Sequence, residues 1–524
     1  MARNRAVSVR KRKPRIDADG RGLLTRRAFA SAALVGLSAK GEQRIVGGFA
    51  DTGLPLGHQL RDRAVHAEPR EARRIPVVIV GAGIAGLSAA WHLTKRGFRD
   101  FTILEMEPQA GGNSRWGENE VSAYPWAAHY VPVPDKNQAL VRELFEELGL
   151  LRDGHWEERW LCHSPQERLF LHGRWQEGLE PSIGLTKKDV EQFERFEDRM
   201  RDFRASGRFR IPMEGGLSGR DEGLDRVTIA QWLDQERLDS AYLRWYVDYC
   251  CRDDYGALAG DTSAWAGIHY HAARDPEDKG PLTWPEGNGW IVKQMLKRLG
   301  GFVQTEDAVL RMEAAGSRWR VYTSRVRYEA EVVIFAAPMF LATYLMEPAP
   351  PRWPLDYSPW MTANLTLDRW PAERGAEVAW DNVIYKSPGL GYVVATHQNL
   401  GRYQERTVWT YYWALAEGAA KDNRWKLLGH DWNWWKEEIL RDLERAHPDI
   451  RQCVSRIDVF RMGHAMARPS PGAIFHPERR RRAAQEGSLL FAHADLSGFS
   501  IFEEAQYRGV VAAGRALQRL GRPR

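Results

Sequence analysis

Val77-Val78-Ile79-Val80-Gly81-Ala82-Gly83-Ile84-Ala85-Gly86 is the stretch on which the fold turns. Its four leading aliphatic residues read as a buried strand, and Leu87 to Leu93 continues with helical spacing. Phe101 to Leu104 reads as a second strand, with Glu105 at its end, 19 positions after Gly86. Each glycine has its own task. Gly81 permits the tight turn, Gly83 lets the backbone approach a pyrophosphate, and Gly86 lets helix and strand pack closely. The N–H groups between Ala82 and Ala85 open the helix and face the phosphates. The Glu105 carboxylate is placed to accept the hydroxyls of an adenosine ribose. Strand, turn, helix, second strand and acid in register predict a βαβ dinucleotide site.

At 524 residues the chain is long enough for two or more intertwined domains. Its pI near 9.0 invites a nucleic-acid reading, but the charge is unevenly placed. Residues 1–27 carry ten Arg or Lys against Asp17 and Asp19, a net of +8, whereas the whole chain is +6. Everything after Arg27 therefore sums to −2, which argues against a nucleic-acid partner. The leader has its own meaning. Thr25-Arg26-Arg27-Ala28-Phe29 precedes an apolar, small-residue run ending at Ala39, and resembles a twin-arginine export signal. That likeness implies the twin-arginine machinery as a partner and the periplasm as destination, with membrane tethering if the leader is not cleaved. Cys162, Cys250, Cys251 and Cys453 form no Cys-x-x-Cys and no zinc-ligand spacing, so neither a disulfide framework nor a metal site is expected.

Beyond the leader (1–40), residues 41–74 read as a polar, glycine-rich linker. Apolar positions at helical spacing mark helices over 136–150, 286–299 and 432–446. Val303 to Met312, Trp319 to Tyr322, Glu331 to Ala336 and Val408 to Leu415 read as strands. Arg479 to Arg482 reads as a solvated loop. Ser488 to Ala492 is a short strand, His493-Ala494-Asp495 a turn, and Phe502 to Leu517 a helix.

Taken together, these segments resemble the flavin-containing amine oxidase family. The likeness rests on the glycine fingerprint with Glu105, on the paired Gly111-Gly112, on Pro285-Glu286-Gly287-Asn288-Gly289 and on Leu489 to Gly514. It implies an α/β fold in which a doubly wound, Rossmann-like FAD-binding domain (75–150, 285–345 and 455–524) interleaves with a mixed α+β substrate domain (151–284 and 346–454). It also implies that Asp495 holds the ribityl chain or pyrophosphate and that Val309 lies on a strand touching the adenine. Ile501 and Phe502 then open the helix that faces the flavin. A second nucleotide-facing turn about 400 residues after the first fits one long cofactor clamped by both ends of the chain.

Several positions depart from the family pattern. His493 stands where the closing turn has glycine, and Asn113 follows the paired glycines in place of arginine, with Arg115 two residues on. The strand Trp360 to Leu367, where a lysine is common, has none, and Asn364 lies near its place. Ile501 occupies the aromatic-cage position, and no cysteine stands where a covalent flavin link would form, so FAD is expected to bind non-covalently.

The expected chemistry is hydride transfer from the CH–NH group of an amine to flavin N5, with a cytochrome, a quinone or oxygen taking the electrons. The amine must first lose a proton, since an alkylammonium titrates near pH ~10. His129 and His493 are the candidate groups beside the reacting carbon, with Asn364 in the lysine's place; a hydrogen-bonded structural imidazole is the plainer role for either histidine. Trp409, Tyr411, Tyr412 and Trp413 read as pocket lining or as core, and Asp253-Asp254 as a cation site or a solvated pair. Two other functions fit the same fold: a flavin desaturase or oxidase acting on an apolar non-amine, and a non-catalytic flavin-binding assembly factor.

Overall fold

The computed structural model describes residues 44–522 except 52, 64, 66, 275–279, 400, 402 and 403. The leader assigned to residues 1–40 lies outside the described residues. Among the described residues no helix is long and apolar enough to cross a membrane.

The alternating apolar residues of the opening stretch build the first of two large sheets. Strand Glu71–Val80 lies parallel to Phe101–Leu104 on one side and to Val326–Phe335 on the other. Val303–Gln304 extends the parallel array beyond Phe101–Leu104, and Leu489–Phe491 joins Val326–Phe335 in parallel. Val77 and Ile79 point into a core shared with helices Ile84–Lys95, Gly289–Leu299 and Phe502–Arg519. Val78 and Val80 point into a second core with Val321, Tyr328, Met339 and Leu345. Period-two alternation with both faces apolar is what a sheet covered on both sides requires.

The second sheet has eight strands, centred on Tyr357–Leu367, which pairs antiparallel with both Thr407–Ala414 and Val454–Ala467. All eleven residues of Tyr357–Leu367 are buried. Helices Lys187–Ala205, Ala241–Tyr255 and Ala264–Ala272 add a separate helical core. The expected architecture of a Rossmann-like domain interleaved with a mixed domain is therefore observed.

Four readings need correction. The linker 41–74 holds strand Val46–Phe49, helix Leu54–Arg61 and the start of the first Rossmann strand. Val46–Phe49 pairs parallel with Val454–Ala467, so backbone pairing orders a segment with little apolar content. Residues 455–467 belong to the second sheet, because that strand pairs with Tyr357–Leu367 along its length. Val309 lies between strands, after a turn in which Glu306 takes φ +53°. Finally, the basic run is no solvated loop: it forms helix Pro477–Ala483 with Arg479 and Arg482 buried. Arg479 donates to the carbonyls of Ile474 and Leu496, and Arg482 to Glu478 and the Pro351 carbonyl. The Arg479 bond to the Leu496 carbonyl fastens the turn that carries Asp495.

Candidate functional site

The site begins where two loops of the first sheet touch. Gly81 turns the chain at φ +97°, in the region that favours glycine. A Cβ at Gly86 would stand 2.0 Å from the Gly81 carbonyl oxygen, so the helix approaches the strand only without a side chain there. Gly111 then donates to the Ala82 carbonyl at 2.8 Å, and Gly83 forms a parallel bridge with Gly111. The N-terminal turn of Ile84–Lys95 is left facing a cavity of about 430 Å³. One wall is Gly81, Gly83, Ala85, Gly111 and Gly112, with Asn113 and Arg115 beyond. Gly86 is set back from that wall.

Glu105 lies at the same cavity. Its Oε2 accepts from the Ala82 N–H at 2.8 Å and its Oε1 from the Glu107 N–H at 2.9 Å. Burial pushes this carboxyl up, against the pull of those two N–H groups. The acid thus fixes the glycine turn as well as facing the cleft. Arg115 donates to the Gly112 carbonyl at 3.1 Å and pairs with Glu107 at 3.2 Å. Asn113 is tied through Nδ2 to the Ala465 carbonyl at 2.8 Å.

The carboxyl end of the chain closes the opposite side. Asp495 Oδ2 accepts from the Met339 N–H at 2.9 Å and from the Tyr357 hydroxyl. His493 Nδ1 stands 3.0 Å from Asp495 Oδ1 and 3.2 Å from its backbone N, and the imidazole tautomer decides which it engages. Burial alone would raise the Asp495 carboxyl. His493, Tyr357 and the Met339 N–H together hold it below the ordinary range. Val309 lines the cavity from its loop, and Ile501 and Phe502 line it from the start of the last helix. Sequence reasoning missed Asp51, which lines the same cavity and pairs with Arg461 at 2.8 Å. No motif announces it, because the segment is placed by a neighbouring strand.

A second cavity, about 130 Å³, adjoins the first: Asn113, Asn288, Met462, Ala465, Ile501 and Phe502 line both. Its own walls include His129, Tyr130, Trp360 and Tyr412. His129 is pushed down to about 4 by burial, against the pull of the Ala127 carbonyl. Its Nδ1 lies 3.1 Å from that carbonyl oxygen, which fixes the proton there and leaves Nε2 as an acceptor. Tyr412 lies against the imidazole, with centroids 4.6 Å apart and the rings tilted by 31°, and donates to the Ala127 carbonyl. Trp409 and Tyr411 and most of Trp413 belong to the core instead.

Asn364 lines neither cavity. Its Nδ2 donates to the Pro125 carbonyl at 3.1 Å, and its Oδ1 accepts from Thr410 at 2.6 Å. It holds the segment that carries His129, and the catalytic role expected of it is withdrawn. His493 stays at the outer cavity and is absent from the inner one, so it does not share a chamber with His129. Asp253 and Asp254 are no solvated pair; they line the inner cavity with Glu503 and Arg274. Burial and the neighbouring Asp254 push Asp253 up to about 7, and burial raises Glu503 to about 7. An unpaired buried ion costs several kcal/mol, which is why such groups either hold a proton or take a counter-charge.

These residues fit a dinucleotide. The glycine turns present bare backbone to the outer cavity, and Asn288 Oδ1, on a side chain 2% exposed, has no hydrogen-bond partner among the described residues. A ligand crossing from the outer to the inner cavity would meet that oxygen.

Comparison with known proteins agrees. The family described as "NAD(P)-binding Rossmann-like domain" matches residues 79–148. An L-amino acid oxidase of Lachesis muta, Lm29, is 42% identical over 84 residues, 16% of this chain and 16% of that protein. AofH of Mycobacterium tuberculosis, a presumptive flavin-containing monoamine oxidase, is 28% identical over 302 residues, 53% of this chain and 61% of that one. The chain thus spans less than two thirds of the length of either relative. A cofactor-binding redesign of putrescine oxidase superposes with a TM-score of 0.67 at 18% identity, over 85% of this chain and 100% of that structure. The likeness fixes the fold.

Glu105→Gln is expected to weaken the bound dinucleotide without unfolding the chain. The amide nitrogen would face either the Ala82 or the Glu107 N–H, donor against donor. Loss of charge-assisted bonds of ~1.5–3 kcal/mol corresponds to roughly tenfold to hundredfold in affinity. Cofactor occupancy after extensive dialysis, beside a melting curve, measures it; occupancy equal to the unsubstituted protein would show that binding depends neither on the carboxylate at Glu105 nor on its brace to the turn.

Proposed function

We propose that this chain holds FAD non-covalently and oxidises an amine at its CH–NH bond. One observation carries the reading: the dinucleotide cavity continues into a small chamber walled by aromatic rings, a neutral histidine and buried carboxylates. The names of the relatives, an L-amino acid oxidase and a monoamine oxidase, and of the putrescine oxidase structure support the same chemistry. FAD, when bound, supplies the hydride acceptor.

The protein's own residues do the rest. Gly81, Gly83, Ile84, Ala85 and Gly111-Gly112 would hold the diphosphate, Glu105 the adenosine ribose, and Asp495 the polar chain near the other end; Ala82, whose N–H and carbonyl are taken by Glu105 and Gly111, braces the turn from behind. Tyr412, Trp360 and Tyr130 exclude water and orient the substrate. With its conjugate acid near pH 4, His129 stays neutral at working pH and takes no proton from an ammonium. Its Nε2 accepts a hydrogen bond from the amine once that nitrogen has lost its proton. Among the described residues no lysine lines either cavity. The one inner cation, Arg274, is paired with Asp254 at 3.4 Å. Among the described residues no free fixed charge that would stabilise superoxide lines the inner cavity, so the reduced enzyme passes electrons to a cytochrome or quinone faster than to oxygen.

The test is an anaerobic panel of amines mixed with the purified protein, then air or cytochrome c. At least one amine should bleach the flavin spectrum, and cytochrome c should restore it faster than air. No bleaching by any amine, with bleaching by an apolar alkene, would replace the amine reading; equally fast recovery in air would remove the electron-carrier assignment.

Export in folded form through the twin-arginine route to the periplasm belongs to the same proposal. It is supported by the basic leader with Arg26-Arg27 and by the need to load a tightly held cofactor before transport. A reporter fused to residues 1–45 should reach the periplasm and be stranded inside the cell by Arg26→Lys with Arg27→Lys. Unchanged transport would make the arginines ordinary leader charge.

A further inference from the structure

Three carboxylates and one guanidinium line the inner cavity: Asp253, Asp254 and Glu503 against Arg274. They come from separate elements. Asp253 and Asp254 end helix Ala241–Tyr255, and Glu503 stands in the first turn of the last helix. Arg274 does not balance them. It pairs with Asp254 at 3.4 Å, lies over the Tyr270 ring at 5.0 Å and also favours the ionised forms of Asp253 and Glu503, but among the described residues of the lining it is one positive charge against three carboxyls. Glu503 is 1% exposed, and its Oε1 has no hydrogen-bond partner among the described residues. It lines the inner cavity and not the outer one, so the cofactor cleft does not supply its partner.

A buried acceptor without a donor, beside a second acid that Arg274 and Arg252 act on only from a distance, defines what should occupy the space. The occupant must bring positive charge and N–H donors. Among the described residues no three acid, histidine or cysteine side chains converge to hold a metal ion. The chamber's volume of about 130 Å³ and its walls of Tyr130, Trp360 and Tyr412 suit a short aliphatic chain. Aromatic faces also favour an ammonium. Asp253 faces further negative charge from Glu167, and Asp381 lies near enough to feel Asp253 in turn, so the acidic field extends beyond the cavity lining.

We infer that this chamber selects amines bearing a second, distal ammonium group, which Glu503 and Asp253 hold while the other nitrogen presents its carbon for oxidation. The inference rests on the amine reading above and adds the substrate class to it. Burial holds both acids near 7; an ammonium between them stabilises their ionised forms.

Binding, not turnover, tests it. The purified 524-residue protein, its flavin reduced beforehand with dithionite so that no amine is consumed, is titrated calorimetrically at pH 8. Three ligands of equal chain length differ only in the tail: pentane-1,5-diamine, pentylamine and 5-aminopentanoate. The diamine should bind at least about tenfold more tightly than pentylamine, and the aminopentanoate most weakly. Glu503→Gln should shrink the diamine-to-pentylamine ratio by about tenfold, and Asp253→Asn, which alters a different element, should do the same if the first variant folds poorly. Equal affinity for diamine and pentylamine overturns the inference, and tightest binding of aminopentanoate would give the tail to Arg274 instead. If no amine bleaches the oxidised flavin, the amine-oxidation reading fails by itself, while the charge preference is still decided by these three constants.

Discussion

Everything in this protein is arranged around the contact of Gly83 with Gly111. Two backbone segments meet there with no side chain between them, joined by the Gly111 N–H to the Ala82 carbonyl. The Glu105 carboxylate ties the Ala82 N–H from below. That closure orients the N-terminal turn of helix Ile84–Lys95 toward the cavity, where unsatisfied N–H groups and the positive end of the helix dipole favour an anion. A side chain at Gly86 would push the helix off the strand and open the contact. The rest of the sheet, covered on both faces, supplies the rigidity that keeps two loops at backbone distance.

The same cavity is completed by parts of the chain far apart in sequence. Asp51 and Arg461 close one flank, and Asp495 with Tyr357 and Met339 closes another. Buried Arg479 and Arg508 both donate to the Leu496 carbonyl of that turn. The two sheets therefore depend on each other at the cofactor. The outer cavity presents N–H donors to phosphate, and the inner one presents carboxylates. The lining these two fields share combines the apolar Ile501, Phe502, Met462 and Ala465 with the polar Asn113, Asn288 and Ser500.

The local parts of this design were legible in the sequence. Residues 77–105 carry their own instructions: apolar alternation, three glycines at set intervals and one acid at a strand end. The closing segment from Leu489 was legible for the same reason. Positions fixed by distant partners were not. Val46–Phe49 is a strand only because Val454–Ala467 lies beside it. Arg479 and Arg482 look solvated in sequence and are buried because carbonyls elsewhere accept their protons. Asn364 sits near the expected lysine position, yet its amide serves the Pro125 carbonyl and Thr410. Asp253 and Glu503 are 250 residues apart and no short motif joins them, so their shared chamber appears only in three dimensions.

On this reading, residues 77–105 and 489–502 clamp one flavin dinucleotide between them without a covalent bond. The most direct measurement is acid precipitation of the purified protein, followed by identification and quantitation of flavin in the supernatant and the pellet. The account predicts FAD in the supernatant at about one per chain, in keeping with one cleft lined by both segments. A colourless protein, a different nucleotide, or flavin retained in the pellet would contradict it.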